Sequence, residues 1–92
     1  MIKTCYKLLI SGQVQRVFFR DYTQKQAKSL GLTGWVKNLA DGRVKVLLQG
    51  PKDKIKLMID WCWQGSPLSR VDNIEVKQIK LKKLNSFVVK SN

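Results

Sequence analysis

Gly12–Arg20 reads GQVQRVFFR and joins two segments of different periodicity. Before it, Tyr6–Ser11 alternates as a strand, with Tyr6, Leu8 and Ile10 sharing the face expected to be buried. After it, Asp21–Leu30 reads as an amphipathic helix, because Phe19, Tyr22, Thr23, Gln26, Ala27 and Leu30 recur with a period of about 3.6. Asp21 suits the positive end of that helix, and Gly31 is its expected stop. Gly12 is expected to end the strand in a turn, so GQVQRVFFR is the corner of a strand–helix unit.

The periodicity continues outward from that corner. Trp35–Asn38 reads as a short strand, LADG as a hairpin with Asp41-Gly42 at its tip, and Arg43–Gln49 as the return strand with Val44, Val46 and Leu48 on one face. Gly50-Pro51 is expected to break that strand, with Pro51 in the first turn of a second helix. That helix runs to about Gln64, burying Ile55, Met58, Ile59 and Cys62, and Gly65-Ser66-Pro67 ends it. Val71–Leu81 is a strand whose alternation slips near Gln78, which predicts a bulge or an edge position, and Ser86–Lys90 is a short final strand. The order predicts an α+β fold: a ferredoxin-like βαββαβ sandwich, two helices on one face of a mainly antiparallel sheet of four to five strands. Residues 1–92 form a single domain in this reading, since a chain of 92 residues supports one core.

Composition bounds the function. With 43% hydrophobic residues the chain is an ordinary globular one, and its apolar runs are too short to span a bilayer. The first residues, MIKTCYKLLISG, lack the long apolar run and small-residue cleavage site of a secretion signal, so a cytoplasmic monomer is expected. A net charge of +12 raises the local concentration of any anion, from a phosphorylated metabolite to a nucleic acid. Cys5 falls on the strand parity opposite the core and Cys62 on the core face of the second helix, which argues against a disulfide between them. No histidine occurs, which removes the commonest general base and metal ligand.

The corner itself carries chemistry. The backbone N–H groups of Gln13, Val14, Gln15, Arg16, Val17 and Phe18 are expected to be free of the sheet and not yet claimed by the helix. Curled into a nest, such groups hold a phosphate, and Phe18 or Phe19 can anchor the loop in the core. Arg20, at the positive end of the helix, can grip two phosphate oxygens with its planar fork. The same residues also read as a plain turn followed by a solvated arginine. Asn38 ends the strand before the hairpin, and that strand is expected beside the first one, which would bring its carboxamide near the loop. A carboxamide is too weak a base to deprotonate water but can accept one hydrogen bond and donate another, and so hold a water in line with phosphorus. Its other reading is a turn residue capping the hairpin.

GQVQRVFFR, followed by GWVKNLADGRV, an apolar strand and Gly50, closely resembles the acylphosphatase family, as does GSPLSRVDNIEV after the second helix. The resemblance runs over nearly the whole chain. It implies hydrolysis of carboxyl-phosphate bonds to a carboxylate and inorganic phosphate, with Arg20 and the preceding loop N–H groups binding phosphate and Asn38 orienting the attacking water. No cofactor and no metal is implied. The chemistry agrees: a carboxylate leaves with a conjugate-acid pKa of roughly 4–5, so no general acid is required.

The chain departs from the family at Arg16, where the usual pattern is V-Q-G-V. A left-handed backbone there costs a non-glycine residue roughly 1–2 kcal/mol, so reduced activity is expected. Two rival readings remain: an impaired binder of phosphate or acyl phosphate, and a basic nucleic-acid-binding module of the same fold. The latter requires aromatic rings on the exposed sheet face, and Arg43–Gln49 contains none. No specific nucleic-acid partner is therefore expected, although salt-sensitive polyanion binding is open to so basic a chain.

Overall fold

The computed structural model describes residues 2–91. Its elements are β1 (Lys3–Gln13), α1 (Phe19–Ser29), β2 (Thr33–Asn38), β3 (Val44–Pro51), α2 (Lys52–Gln64), β4 (Arg70–Ile79) and β5 (Phe87–Val89). The sheet order is β4-β1-β3-β2-β5, antiparallel throughout except for the parallel β2–β5 pair. This is the expected ferredoxin-like α+β sandwich with a fifth strand.

Alternation sorts the two faces as the sequence predicts. Leu8 stands opposite Val46 and Val76, and Ile10 opposite Val44 and Ile74. Apart from Val76, which is exposed on the edge strand, these positions, with Val36 and Leu48, meet Phe19 and Ala27 of α1 and Ile55, Met58 and Cys62 of α2 in one core. Burying each large apolar side chain contributes about 1.5–3 kcal/mol, so this stripe-on-sheet contact is the main source of stability.

Several boundaries differ from the sequence reading. β1 does not turn at Gly12 but continues through Gln13, which pairs with Arg70. Gly12 lies at a bulge instead. Ser11 pairs with Asn73 and Gly12 with Val71, leaving Asp72 as the extra residue. At φ +128°, a Cβ on Gly12 would collide with the Arg70 carbonyl oxygen, so glycine is needed for close approach rather than for a reversal. β4 is an edge strand, as its broken alternation suggested, but its irregularity is at Asp72 and not near Gln78. β3 runs on through Gly50 and Pro51, which pair with Thr4 and Lys3, and α2 begins at Lys52 with Pro51 as its N-cap.

The outer face is also partly covered. Gln49 exchanges two hydrogen bonds with Lys82, Nε2 donating to the carbonyl oxygen at 2.9 Å and Oε1 accepting from the backbone N–H at 2.8 Å. That amide pairing holds the segment after β4 over the sheet. Cys5, off the core parity as predicted, is nevertheless buried, and burial raises its thiol pKa. Cys62 faces the core, where burial pushes its thiol up to about 12. Both cysteines are free. Trp61 packs on Phe19, ring centroids 5.9 Å apart, and Leu57 is exposed.

Candidate active site

Between β1 and α1 the backbone bends twice through left-handed conformations, at Arg16 (φ 63°) and Phe18 (φ 61°, ψ 22°). Neither residue is glycine, so each costs roughly 1–2 kcal/mol. The surroundings hold the loop against that strain. Val14, Val17 and Phe19 are buried beneath it, while Phe18 is 67% exposed. Ser66 donates its hydroxyl to the Val17 carbonyl oxygen at 2.8 Å. Gln15 Nε2 donates to the carbonyl oxygens of Leu39 and Arg43, at 2.8 and 2.9 Å, and so ties the loop to the β2–β3 hairpin.

The N–H groups of Gln15, Arg16, Val17 and Phe18 donate to no backbone carbonyl among the described residues. They adjoin the first turn of α1, whose own amides also lack intrahelical partners. The loop and helix start therefore concentrate backbone donors at the positive end of a helix dipole. Gln13 does not belong to this group, because it is exposed and paired in the sheet.

Beside these donors is a cavity of about 370 Å³, lined by Val14, Arg16, Phe18, Phe19, Arg20, Asp21 and Asn38. It thus brings together Arg20 and Asn38, which are 18 residues apart in sequence. Arg20 donates through Nη1 to the Lys90 carbonyl oxygen at 3.1 Å, which fixes the guanidinium from the far side. Lys90 in turn donates its backbone N–H to Val36 of β2 at 2.8 Å, two residues before Asn38. Asn38 Oδ1 is buried and accepts no hydrogen bond among the described residues. An acceptor so placed calls for a donor from solvent or ligand.

Asn38 reaches the loop by a route other than the one expected. β2 lies between β3 and β5, so it does not neighbour β1. Proximity comes instead from the loop crossing the end of β3, where Gln15 grips the hairpin that follows Asn38. The side chain of Gln15, the carbonyl of Lys90 and the hydroxyl of Ser66 were not singled out in the sequence, and Asp21, at the cavity wall, was read only as a helix-start acid.

Asp41 closes the hairpin by accepting from the backbone N–H of Arg43 at 3.1 Å and from its Nε at 2.9 Å. The backbone N–H of Arg43, aided by its guanidinium, holds the Asp41 carboxyl below its usual range. Arg16 and Arg20 set against the single carboxylate of Asp21 leave the cavity wall positive, within a chain of net charge +12.

Comparison with known proteins agrees with this geometry. The acylphosphatase family model matches residues 6–89. An acylphosphatase of Syntrophobacter fumaroxidans is 52% identical over 69 residues, covering 75% of this chain and 71% of that protein. The structure of an acylphosphatase from Coxiella burnetii superposes with a TM-score of 0.93 at 40% identity, covering 96% of this chain and 93% of that one. The Bacillus subtilis acylphosphatase structure matches with a TM-score of 0.93 at 35% identity, over 95% and 98% of the two chains. A loop of free amides, an arginine and a carboxamide meeting in one cavity, on a fold shared from end to end, place this chain in the acylphosphatase family.

Proposed function

We propose that the loop from Val14 to Phe18 and the Arg20 guanidinium hold the phosphoryl group of an acyl phosphate, and that Asn38 orients the water that attacks it. The reaction is hydrolysis to a carboxylate and inorganic phosphate, as the family assignment indicates. The observation that carries the residue roles is the single cavity shared by Arg20, Asn38 and the loop.

The backbone amides and Arg20 supply donors to the non-bridging oxygens, whose charge must be stabilised as the phosphorus–oxygen bond breaks. The Asn38 carboxamide oxygen, without a protein donor among the described residues, accepts a hydrogen bond from the water and so aims a lone pair of the water oxygen at phosphorus. The carboxylate departs without protonation, and the proton of the attacking water passes to solvent or to the phosphate formed. Free amides and two arginines already supply donors and positive charge to the phosphate, and a divalent ion there would face the repulsion of Arg16 and Arg20 with only one lining carboxylate, Asp21, to offset it. The mechanism we propose is therefore metal-independent.

We further propose a cytoplasmic monomer. Two unpaired cysteines suit a reducing compartment, and no helix among the described residues is long and apolar enough to cross a membrane.

Hydrolysis of a small acyl phosphate, followed with and without a chelator, tests the proposal. Turnover unaffected by chelator is expected; activity restored only by a divalent ion would overturn the metal-free mechanism.

A further inference from the structure

We propose that the outer face of the sheet is a second anion-binding surface, one that takes single-stranded nucleic acid without sequence preference. A base stacks on Trp35, and phosphates lie along Lys7, Lys45, Lys82 and Lys83. This surface is separate from the catalytic cavity, and the proposal does not depend on the hydrolytic reading.

A groove of about 440 Å³ lies on this face, between the sheet and the segment after β4. Its floor is apolar, built from Trp35, Leu47, Ile79 and Leu84, and its remaining lining is the four lysines. Trp35 of β2 is directly opposite Leu47 of β3, so ring and aliphatic surface are continuous. No carboxylate lines the groove, and none of the four lysines forms an ion pair among the described residues; the ion pairs there all use arginine.

The cations continue past the groove, around the ring. The ammonium groups of Lys90, Lys37 and Lys45 lie 4.6, 5.4 and 5.8 Å from the Trp35 centroid. From Lys7 on β1 to Lys90 beyond β5 the track crosses three strand spacings, about 14 Å at ~4.8 Å each, which exceeds a single nucleotide. Burial, then repulsion from Lys7 and Lys37, holds the Lys45 ammonium below its usual range.

Energetics favour exchange at the ring. An exposed cation–π contact is worth about 0.5–1 kcal/mol, whereas a base stacked on an aromatic side chain contributes about 1–3 kcal/mol. A lysine released from the ring gains a phosphate. The sequence argument against a stacking platform concerned β3, which has no aromatic residue; the ring comes from β2 instead.

The test is anisotropy titration of a labelled oligo-dT of about ten nucleotides, with and without saturating inorganic phosphate to occupy the catalytic cavity, at one matched ionic strength. Trp35→Leu should weaken binding about tenfold. The Lys45→Gln/Lys82→Gln double variant should lower the slope of log affinity against log salt by about 1.4, as expected for two lost phosphate contacts. Acyl-phosphate turnover in these variants should match the parent. The charge-matched Lys28→Gln/Lys56→Gln variant, on the exposed helical side, should bind almost as the parent does. Equal losses from the two lysine pairs would overturn the proposal, since only overall charge would then matter. Displacement of the oligonucleotide by inorganic phosphate, but not by chloride at the same ionic strength, would overturn it by placing the strand in the catalytic cavity. Equal affinity for inorganic polyphosphate would remove the role of the base, and equal affinity for a free mononucleotide would remove that of the strand.

Discussion

Arg20 donates to the carbonyl oxygen of Lys90 at 3.1 Å, a contact between the first turn of α1 and the residue just past β5. Lys90 is bonded in turn to Val36 on the strand that carries Asn38. The parallel β2–β5 pair therefore supports both Arg20 and Asn38. One guanidinium N–H is committed to that support, which leaves the other donors of Arg20 for the cavity it lines.

Replacing Arg20 by Lys keeps the charge but loses both the fork and the geometry set by Lys90. We expect kcat to fall about 100-fold or more, with weaker inhibition by inorganic phosphate. Steady-state kinetics with phosphate as inhibitor provide the measurement, and near-parental values would exclude bidentate binding.

Asn38→Ala removes the free acceptor but leaves the loop intact. A decrease in kcat of about 100-fold should accompany an almost unchanged phosphate inhibition constant. Loss of phosphate inhibition in this variant would instead give Asn38 a role in shaping the loop.

Gln15→Leu deletes both hydrogen bonds to the hairpin and leaves two carbonyl oxygens without that donor. A loss of about 1–3 kcal/mol in urea unfolding is expected. Turnover should fall together with phosphate affinity, because the loop then shifts relative to Asn38. A variant destabilised but kinetically unchanged would limit Gln15 to stability.

Arg16→Gly tests the departure from the family pattern. The left-handed φ of 63° favours glycine, and relief of about 1–2 kcal/mol of strain outweighs the ~0.5–1 kcal/mol entropic cost of glycine. Unfolding should show a net gain of about 0.5–1 kcal/mol. An increase in turnover is expected as well, and equal activity in the two proteins would make Arg16 silent in catalysis.

Cys62 makes a pH prediction. Its folded pKa of about 12 is above the ordinary 9.0, so the thiol is neutral in both states below pH 9 and has no effect there. Between pH 9 and 12 the unfolded chain ionises first, and stability falls by up to about 1.4 kcal/mol per pH unit from this group. Denaturant titrations across that range should show a shallower decline in Cys62→Ala, despite its lower starting stability. The same decline in both proteins would remove Cys62 as the source.

The sequence by itself determined the element order, the α+β sandwich, the core faces and the identity of Arg20, Asn38 and the loop as candidates. Each depends on short-range regularities: alternation along β1 and β3, helical spacing in α1 and α2, and a motif confined to nine residues. Set against the family pattern, it also raised left-handed strain at Arg16, which the structure shows there and, without any sequence signal, at Phe18. Only the tertiary structure decided which strands are neighbours, and it separated β2 from β1 by β3. Tertiary structure likewise turned Gly12 from a turn into a bulge, buried Cys5 under the segment paired to Gln49, and joined Arg20 to Lys90 across 70 residues. Those outcomes depend on contacts between residues far apart in the chain, whose free energy comes from shared burial and paired hydrogen bonds. No local pattern encodes them, because each partner on its own is an ordinary polar or small residue.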